Sequence, residues 1–312
     1  VEQRRLGRTD FRVSVLGFGC GAVGGLMVRG DAADQERAVA RALDAGITYF
    51  DTAADYGQGA SERNLGRVLR TLKADPVVGT KVRILPEQRG AIAATIAAAM
   101  EASLARLGRD HVQLYQLHNP IAFDGPPTTL TPAMVANEVL PAFERLRDQG
   151  KAQQFGFTGI GDADALRQVM AMPGMATVQL PYNLLNAGRQ ASLLADCATH
   201  DVGVIGIRTL AGGALSGSAA RGALGVAVVE PIASGADYAA DVAAALRLSP
   251  LVEAGHAADL VEAALRFAIT STLMGTAMVG LGSLAELDHA IAAVGKGALP
   301  GDAMALLEGL RD

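Results

Sequence analysis

The feature that most constrains this chain is a repeated alternation of short apolar runs with longer Ala/Leu-rich segments. Runs rich in β-formers or bounded by Gly fall at 15–20, 47–52, 76–82, 112–118, 152–158, 177–182, 202–209 and 277–282. Between them lie segments of helical spacing at 34–45, 61–73, 90–107, 132–148, 162–172 and 185–200. Several runs are almost continuously apolar, which suits parallel strands covered on both faces. Eight β-then-α units predict a closed (β/α)8 TIM barrel, taken here as a single domain over 1–312. Residues 4–6 and 11–15, separated by Gly7-Arg8-Thr9-Asp10, predict an N-terminal β-hairpin ahead of the first barrel strand. The Gly/Ala/Pro-rich interval 211–256 predicts a long loop and an extra helix at the C-terminal mouth, a candidate lid.

A doubly wound sheet is the competing fold, and it would carry a GxGxxG turn after its first strand. Gly17, Gly19 and Ala22 fit only a degraded form of that turn, and no acidic ribose partner follows at the expected distance. A Gly-rich strand end that lets a ligand or a neighbouring loop approach the backbone accounts for it better.

Composition narrows the partners. With 27 Lys+Arg against 32 Asp+Glu the net charge is −5, and no dense basic run exists, so nucleic acid is not expected as a partner. Cys20 and Cys197 form no CxxC or Cys/His cluster, which predicts neither disulfide nor metal site and fits a cytoplasmic protein. The first residues show no apolar secretory core. The uncharged stretch 267–285 breaks at Met274-Gly275 and reads as a helix end, a turn and a buried strand, so no membrane span is expected.

In a parallel barrel the chemistry gathers where strands end. The second strand ends in Phe50-Asp51-Thr52-Ala53, followed by Asp55-Tyr56-Gly57; the third ends in Gly79-Thr80-Lys81; the fourth in Gln116-Leu117-His118-Asn119-Pro120. Singly, Asp51 reads as a turn residue, Tyr56 as packing, Lys81 as a solvated end and His118 as a satisfied imidazole. Together they converge from three consecutive strand ends. A phenol is a poor acid at neutral pH, and a cation such as Lys81 beside Tyr56 lowers its pKa. Asp51 would keep Lys81 charged and oriented, while His118 could direct a carbonyl oxygen toward Tyr56 or share its proton. A carbonyl polarised in this way needs a hydride.

These residues resemble the aldo-keto reductase superfamily. The resemblance rests on Gly46-Ile47-Thr48-Tyr49-Phe50-Asp51-Thr52-Ala53-Ala54-Asp55-Tyr56-Gly57, on Ser61-Glu62-Arg63-Asn64-Leu65-Gly66, on Thr80-Lys81-Val82 and on Leu117-His118. It implies an oxidoreductase moving a hydride between a nicotinamide cofactor and an aldehyde, ketone, alcohol or sugar hemiacetal. Tyr56 would be the general acid/base, Asp51 and Lys81 would tune it, and His118 would orient the substrate. The resemblance further implies that Gln179 meets the nicotinamide carboxamide. It places Arg208, Thr209, Leu210 and Gly212 in a phosphate-side loop, and Gly280, Gly282, Ser283, Glu286 and His289 around the adenosine end.

The chain departs from the family at several of these positions. A frequent Ser-Asn pair is Thr158-Gly159 here, leaving the carboxamide to Thr158, Gln179 or main chain. No aromatic residue follows the seventh strand to stack on the nicotinamide, and no Lys or Arg stands at the adenosine pocket to pair a 2′-phosphate. Family habit ranks NADPH slightly ahead of NADH, while the local residues lean toward NADH. Cys20 and Cys197 read as packing residues. Two other readings stay open: a Schiff-base lyase or aldolase using Lys81 as nucleophile, which a paired Asp51 opposes, and a non-catalytic cofactor-binding regulatory subunit of a membrane channel. The loops 23–29, 121–131 and 219–241, with Leu26, Met27, Ile121, Phe123, Leu224 and Val226, suggest a neutral, partly apolar small-molecule carbonyl or alcohol as substrate.

Overall fold

A strand buried on both faces must find hydrogen-bond partners along both edges, and closing the sheet on itself meets that demand for every strand. In the computed structural model, which describes residues 1–229 and 236–310, the chain does this. β1 (Gln3–Arg5) and β2 (Arg12–Ser14) form the expected antiparallel hairpin. They are followed by the barrel strands β3 (Leu16–Gly19), β4 (Tyr49–Asp51), β5 (Val77–Val82), β6 (Val112–Leu117), β7 (Ala152–Thr158), β8 (Thr177–Pro181), β9 (Gly203–Ile207) and β10 (Met274–Gly280). All neighbours in the barrel are parallel, and β10 closes it against β3 with Ala277 opposite Leu16 and Gly280 opposite Gly19. The eight-stranded barrel is therefore shown and the doubly wound sheet is excluded.

One strand differs from its sequence reading. β10 starts at Met274, not at 277, so Met274-Gly275 lies inside the strand rather than in a turn. Its register against β9 shifts between Met274 and Thr276, a bulge that spoils the sequence periodicity at that point. The helix expected over 132–148 is also interrupted: a π-turn at Val135–Val139 separates Pro132–Met134 from Leu140–Asp148. Pro141 has no N–H to give, and a widened turn before it relieves the ring's clash with the preceding carbonyl.

Helices cover the barrel through one apolar stripe each. Along Ile92–Leu107 the buried residues Ile92, Ile96, Met100, Leu104 and Leu107 recur at spacings of one helical turn. That helix, with the 3-10 turn Pro86–Ala91, is long and apolar enough by composition to cross a membrane, but its stripe is spent on the barrel. Side-chain caps start several helices, among them Asp31, Asp259 and Ser283, each accepting from a backbone N–H three residues on. Cys20 and Cys197 are free and buried.

The hairpin closes the end from which the strands start. Leu6 and Val13 are fully buried with Tyr49, Leu114 and Ile205 in a cluster inside the barrel. Arg4 donates to the carbonyls of Ile269 (3.0 Å), Ser271 (2.9 Å) and Met274 (3.2 Å), anchoring the hairpin below β10. Gly7 turns with φ +53°, and a Cβ there would stand 2.0 Å from the Gly203 nitrogen at the foot of β9. Gly7→Ala combines a left-handed backbone with a backbone clash and should destabilise the fold by at least about 1 kcal/mol; urea unfolding midpoints of the two proteins measure it.

Candidate active site

With one end plugged, the polar residues of the strands collect at the other. Asp51, the last residue of β4, and Lys81, next to last in β5, form an ion pair that is almost wholly buried. Two ions out of water are tolerated only when their remaining valences are filled, and they are. The Lys81 ammonium also donates to the Thr52 carbonyl at 2.8 Å and reaches Tyr56 Oη at 3.3 Å. Asp51 Oδ2 accepts from Tyr49 Oη (2.9 Å), Gln116 Nε2 (3.2 Å) and Gln179 Nε2 (2.7 Å), so β4, β6 and β8 all converge on one carboxylate. Burial alone would lower the Lys81 pKa, but Asp51 and then Tyr56 outweigh it and push it above the ordinary lysine value. The amine stays protonated, which removes the lone pair that a Schiff-base nucleophile needs.

Tyr56 is held over this pair by its loop. The helix Ala60–Leu72 that follows is pinned at its start: Ser61 Oγ donates to the Cys20 carbonyl at 2.8 Å and meets Thr52 Oγ1 at 2.7 Å, while Glu62, fully buried, accepts from Thr80 Oγ1 at 2.6 Å and pairs with Arg106 at 2.5 Å. The Ser61-Glu62 pair is thus a structural clamp for the loop carrying the phenol. Lys81 Nζ lies 4.8 Å from the centroid of the Tyr56 ring. Lys81 lowers the Tyr56 pKa as the sequence reading expected, but burial raises it by more and the net shift is upward. Tyr56 is accordingly protonated at neutral pH.

His118 follows β6, its backbone N–H donating to the Val82 carbonyl at 2.7 Å, and its ring meets that of Tyr56 edge-on with centroids 6.0 Å apart. Asn119 fixes the turn beyond it by bonding both polar groups of Ile84 at 2.8 Å. Burial lowers the His118 pKa below the usual imidazole value despite Asp55, whose Oδ2 lies 3.3 Å from His118 Nδ1. Burial also works against ionisation of Asp55, but His118, Arg83 and Lys81 outweigh it and bring its pKa down to about 2. Arg83 Nε stands 3.2 Å from the same Oδ2. The four expected residues are brought together, and Asp55, Arg83, Tyr49 and Gln116 join them. None of these four carried a strand-end signal that set it apart from packing or solvated residues.

A cleft of ≈ 1230 Å³ opens from this cluster across the mouth, above the usual range for a small-molecule site. Thr158, Gln179, Arg208, Thr209, Leu210, Gly212, Gly280, Gly282, Glu286 and His289 line it. The Thr158 hydroxyl is buried without a hydrogen-bond partner, while the Gln179 amide nitrogen is already used on Asp51. Thr209 Oγ1 donates to the Met278 carbonyl at 2.6 Å, tying β9 to β10. Ala211, Gly212 and Gly213 all have positive φ (48°, 70° and 109°); Gly212 and Gly213 line the cleft, and the N–H groups of Ala211 and Gly213 donate to the carbonyls of Arg208 and Leu210 at 2.8 Å. Ser283 caps the helix Leu284–Gly295, and Glu286 bends back so that its carboxylate accepts the Gly282 N–H at 2.7 Å. His289 Nε2 lies 3.2 Å from Asp259, and His256 faces Asp302 at 3.8 Å, partners that the sequence did not disclose.

The described part of the loop beyond β9 crosses the cleft. Arg221 donates to the carbonyls of Gly212 (2.7 Å), Val226 (2.8 Å) and Val23 (3.3 Å), and Arg29 donates to those of Leu224 (2.7 Å) and Ala22 (2.5 Å). The Gly-rich stretch after β3 therefore serves the approach of this loop: a Cβ on Gly25 would stand 1.7 Å from the Leu224 oxygen. Arg221, in a Gly/Ala-rich stretch with no local motif, was not singled out from sequence. Of the candidate lid 211–256, residues 230–235 lie outside the described residues, as do the same positions of the substrate loop 219–241. Leu26, Met27 and Ile121 prove to be core residues, and Phe123, Leu224 and Val226 do not line the cleft. The apolar lining comes instead from residues such as Pro120, Ile160, Leu166 and Leu193. Among the described residues no group of His, Cys, Asp or Glu is arranged to hold a metal.

Comparison with known proteins gives a consistent result. The model of the Aldo/keto reductase family matches residues 15–312. L-galactose dehydrogenase of Arabidopsis thaliana is 27% identical over 301 residues, covering 94% of this chain and 88% of the plant protein. D-threo-aldose 1-dehydrogenase of a Pseudomonas species is 31% identical over 66% of this chain and 68% of that protein, and NADH-specific methylglyoxal reductase of Escherichia coli is 28% identical over 69% of each. Among solved structures, an aldo-keto reductase of Bacillus halodurans in its holo form superposes with a TM-score of 0.77 at 24% identity, over 99% of this chain and 96% of that one.

The buried pair generates a stability test. Lys81→Met leaves Asp51 as an uncompensated buried charge and should cost about 3 kcal/mol or more. Asp51→Asn introduced beside it removes that charge and should restore a substantial part, as read from a double-mutant cycle of urea unfolding.

Proposed function

The chain belongs to the aldo/keto reductase family, and we propose that it transfers a hydride between a nicotinamide dinucleotide and a small aldehyde, ketone or sugar hemiacetal, with Tyr56 as the acid/base. The observation carrying this reading is the Tyr56 hydroxyl 3.3 Å from an ammonium that is itself locked on a buried carboxylate. When bound, the dinucleotide supplies the hydride to the carbonyl carbon or takes it back from the carbinol. Tyr56 Oη gives its proton to the carbonyl oxygen, and the phenolate left behind is stabilised by Lys81. Asp51 keeps Lys81 charged through that step, and the low dielectric of the barrel mouth strengthens its effect.

Several cleft features fit the dinucleotide. The unpartnered Thr158 hydroxyl suits the carboxamide. Arg208 and Arg221, which line the cleft beside the left-handed stretch 211–213, suit the pyrophosphate, cations being what anionic oxygens need. At the far end, Glu286 occupies the helix start through the Gly282 N–H. A ribose 2′-hydroxyl can donate to that carboxylate, whereas a 2′-phosphate meets it as a like charge. In this reading NADH is held at least as well as NADPH.

Two measurements test these assignments. Tyr56→Phe should lower kcat/KM for reduction of methylglyoxal by about 10² to 10⁴-fold with the dinucleotide Kd unchanged; turnover near the wild-type rate removes Tyr56 from the acid/base role. Glu286→Arg should shift the NADPH-to-NADH affinity ratio toward NADPH by about 5- to 150-fold in titration calorimetry. Tight wild-type NADPH binding that the substitution leaves unmoved excludes Glu286 as the discriminator.

A further inference from the structure

Beside the phenol, the imidazole of His118 faces a carboxylate that the reaction as described leaves unused. Asp55 precedes Tyr56 in the loop after β4, and its Oδ2 lies 3.3 Å from His118 Nδ1. Oδ2 also lies 3.2 Å from Arg83 Nε, from the end of β5. A carboxylate between an imidazole and a guanidinium is ionised and can only accept. A negative charge 3.3 Å from Nδ1 favours the tautomer with its proton on that nitrogen. In a neutral imidazole the other nitrogen, Nε2, is then an acceptor.

We propose that Asp55 is a positioning residue that fixes this tautomer of His118, so that above the imidazole pKa the site binds a hydroxyl-bearing alcohol or hemiacetal in preference to a carbonyl. The proposal rests on the reductase reading given above and deepens it. An alcohol oxygen can accept from the Tyr56 hydroxyl and donate its own hydrogen to Nε2, so both neighbours are satisfied. A carbonyl oxygen has no hydrogen and would set its lone pairs against that of Nε2, leaving a desolvated mismatch. Protonation of His118 turns Nε2 into a donor, which a carbonyl oxygen can accept as well as an alcohol oxygen, and so removes the preference.

The charged and titratable groups facing the imidazole are Asp55 and Tyr56 from the loop after β4, and Lys81 and Arg83 from β5 and its end. Burial, Lys81 and Arg83 favour the neutral ring, and Asp55 alone among them favours the imidazolium. The switch therefore falls below the ordinary imidazole value, and the alcohol-binding form prevails at neutral pH. Removing Asp55 moves the switch lower still and frees the neutral ring to place its proton on Nε2.

The first test does not depend on turnover. Long-range ¹H–¹⁵N NMR of the His118 ring, assigned by its loss in His118→Gln, should show the Nδ1–H tautomer in the wild type at neutral pH. In Asp55→Ala, whose side chain is 42% exposed and whose fold thermal melting will verify, it should show a mixture or the Nε2–H form. An Nε2–H tautomer in the wild type, or one unchanged by Asp55→Ala, overturns the proposal. The second test compares benzyl alcohol with benzaldehyde, which differ only in oxidation state, by titration into protein saturated with the dinucleotide that cannot react with each. The wild-type preference for the alcohol should grow by about fivefold or more between about pH 5 and pH 8 and should collapse in Asp55→Ala. A preference that ignores both pH and Asp55 overturns the proposal. If neither dinucleotide binds, the reductase reading itself fails, and the NMR result still decides what Asp55 does to His118.

Discussion

A lysine and an aspartate ionised against each other inside the barrel mouth impose most of what surrounds them. The desolvation of two charges is offset only if every remaining donor and acceptor is satisfied. Tyr49, Gln116 and Gln179 supply three further bonds to one Asp51 oxygen, which accounts for polar side chains at positions of β4, β6 and β8 that would otherwise be apolar core. Because the contributing strands are neighbours in a closed parallel sheet, their registers are fixed relative to one another, as with Gly79 opposite Asp51 and Lys81 opposite Gln116. The ion pair depends on this rigidity to stay aligned, and the phenol depends on the ion pair.

The barrel divides its two ends between separate tasks. At the foot of the strands, Leu6 and Val13 of the hairpin complete an apolar cluster and Arg4 ties the hairpin to backbone carbonyls below β10. At the other end the loops carry the ionisable groups and the left-handed turn at 211–213. A closed foot lets the mouth remain polar and open without exposing the interior to water from both sides.

Much of this was legible in the sequence because the signals were local. The eight apolar runs, the hairpin turn at Gly7 to Asp10 and the strand-end placement of Asp51, Lys81 and His118 can be read without knowing what packs on what. Other features are long-range. The bulge in β10 comes from pairing with β9, and the π-turn ahead of Pro141 adjusts a helix whose apolar spacing looked continuous. Asp55 meets His118 across a sequence distance that carries no motif, and Arg221 gains meaning only once its loop is laid beside Val23 and Gly212. The net pKa of Tyr56 was legible only in part for a related reason: the lowering by a nearby cation can be read from residue types, whereas the larger effect of burial needs the fold.

The strap over the cleft has a consequence for how this mouth can diverge. Arg29 and Arg221 grip carbonyl oxygens of Ala22, Val23, Gly212, Leu224 and Val226 rather than side chains. Every residue type presents a carbonyl, so the gripped positions other than Gly212, which its left-handed φ and the nearness of Val229 hold as glycine, can change their side chains while the two arginines keep hold of the main chain. The loop is thereby free to be rewritten for new ligands, with its tether kept outside the part that varies. Since the acceptors are uncharged, that tether should also be less sensitive to salt than an ion pair at the same place.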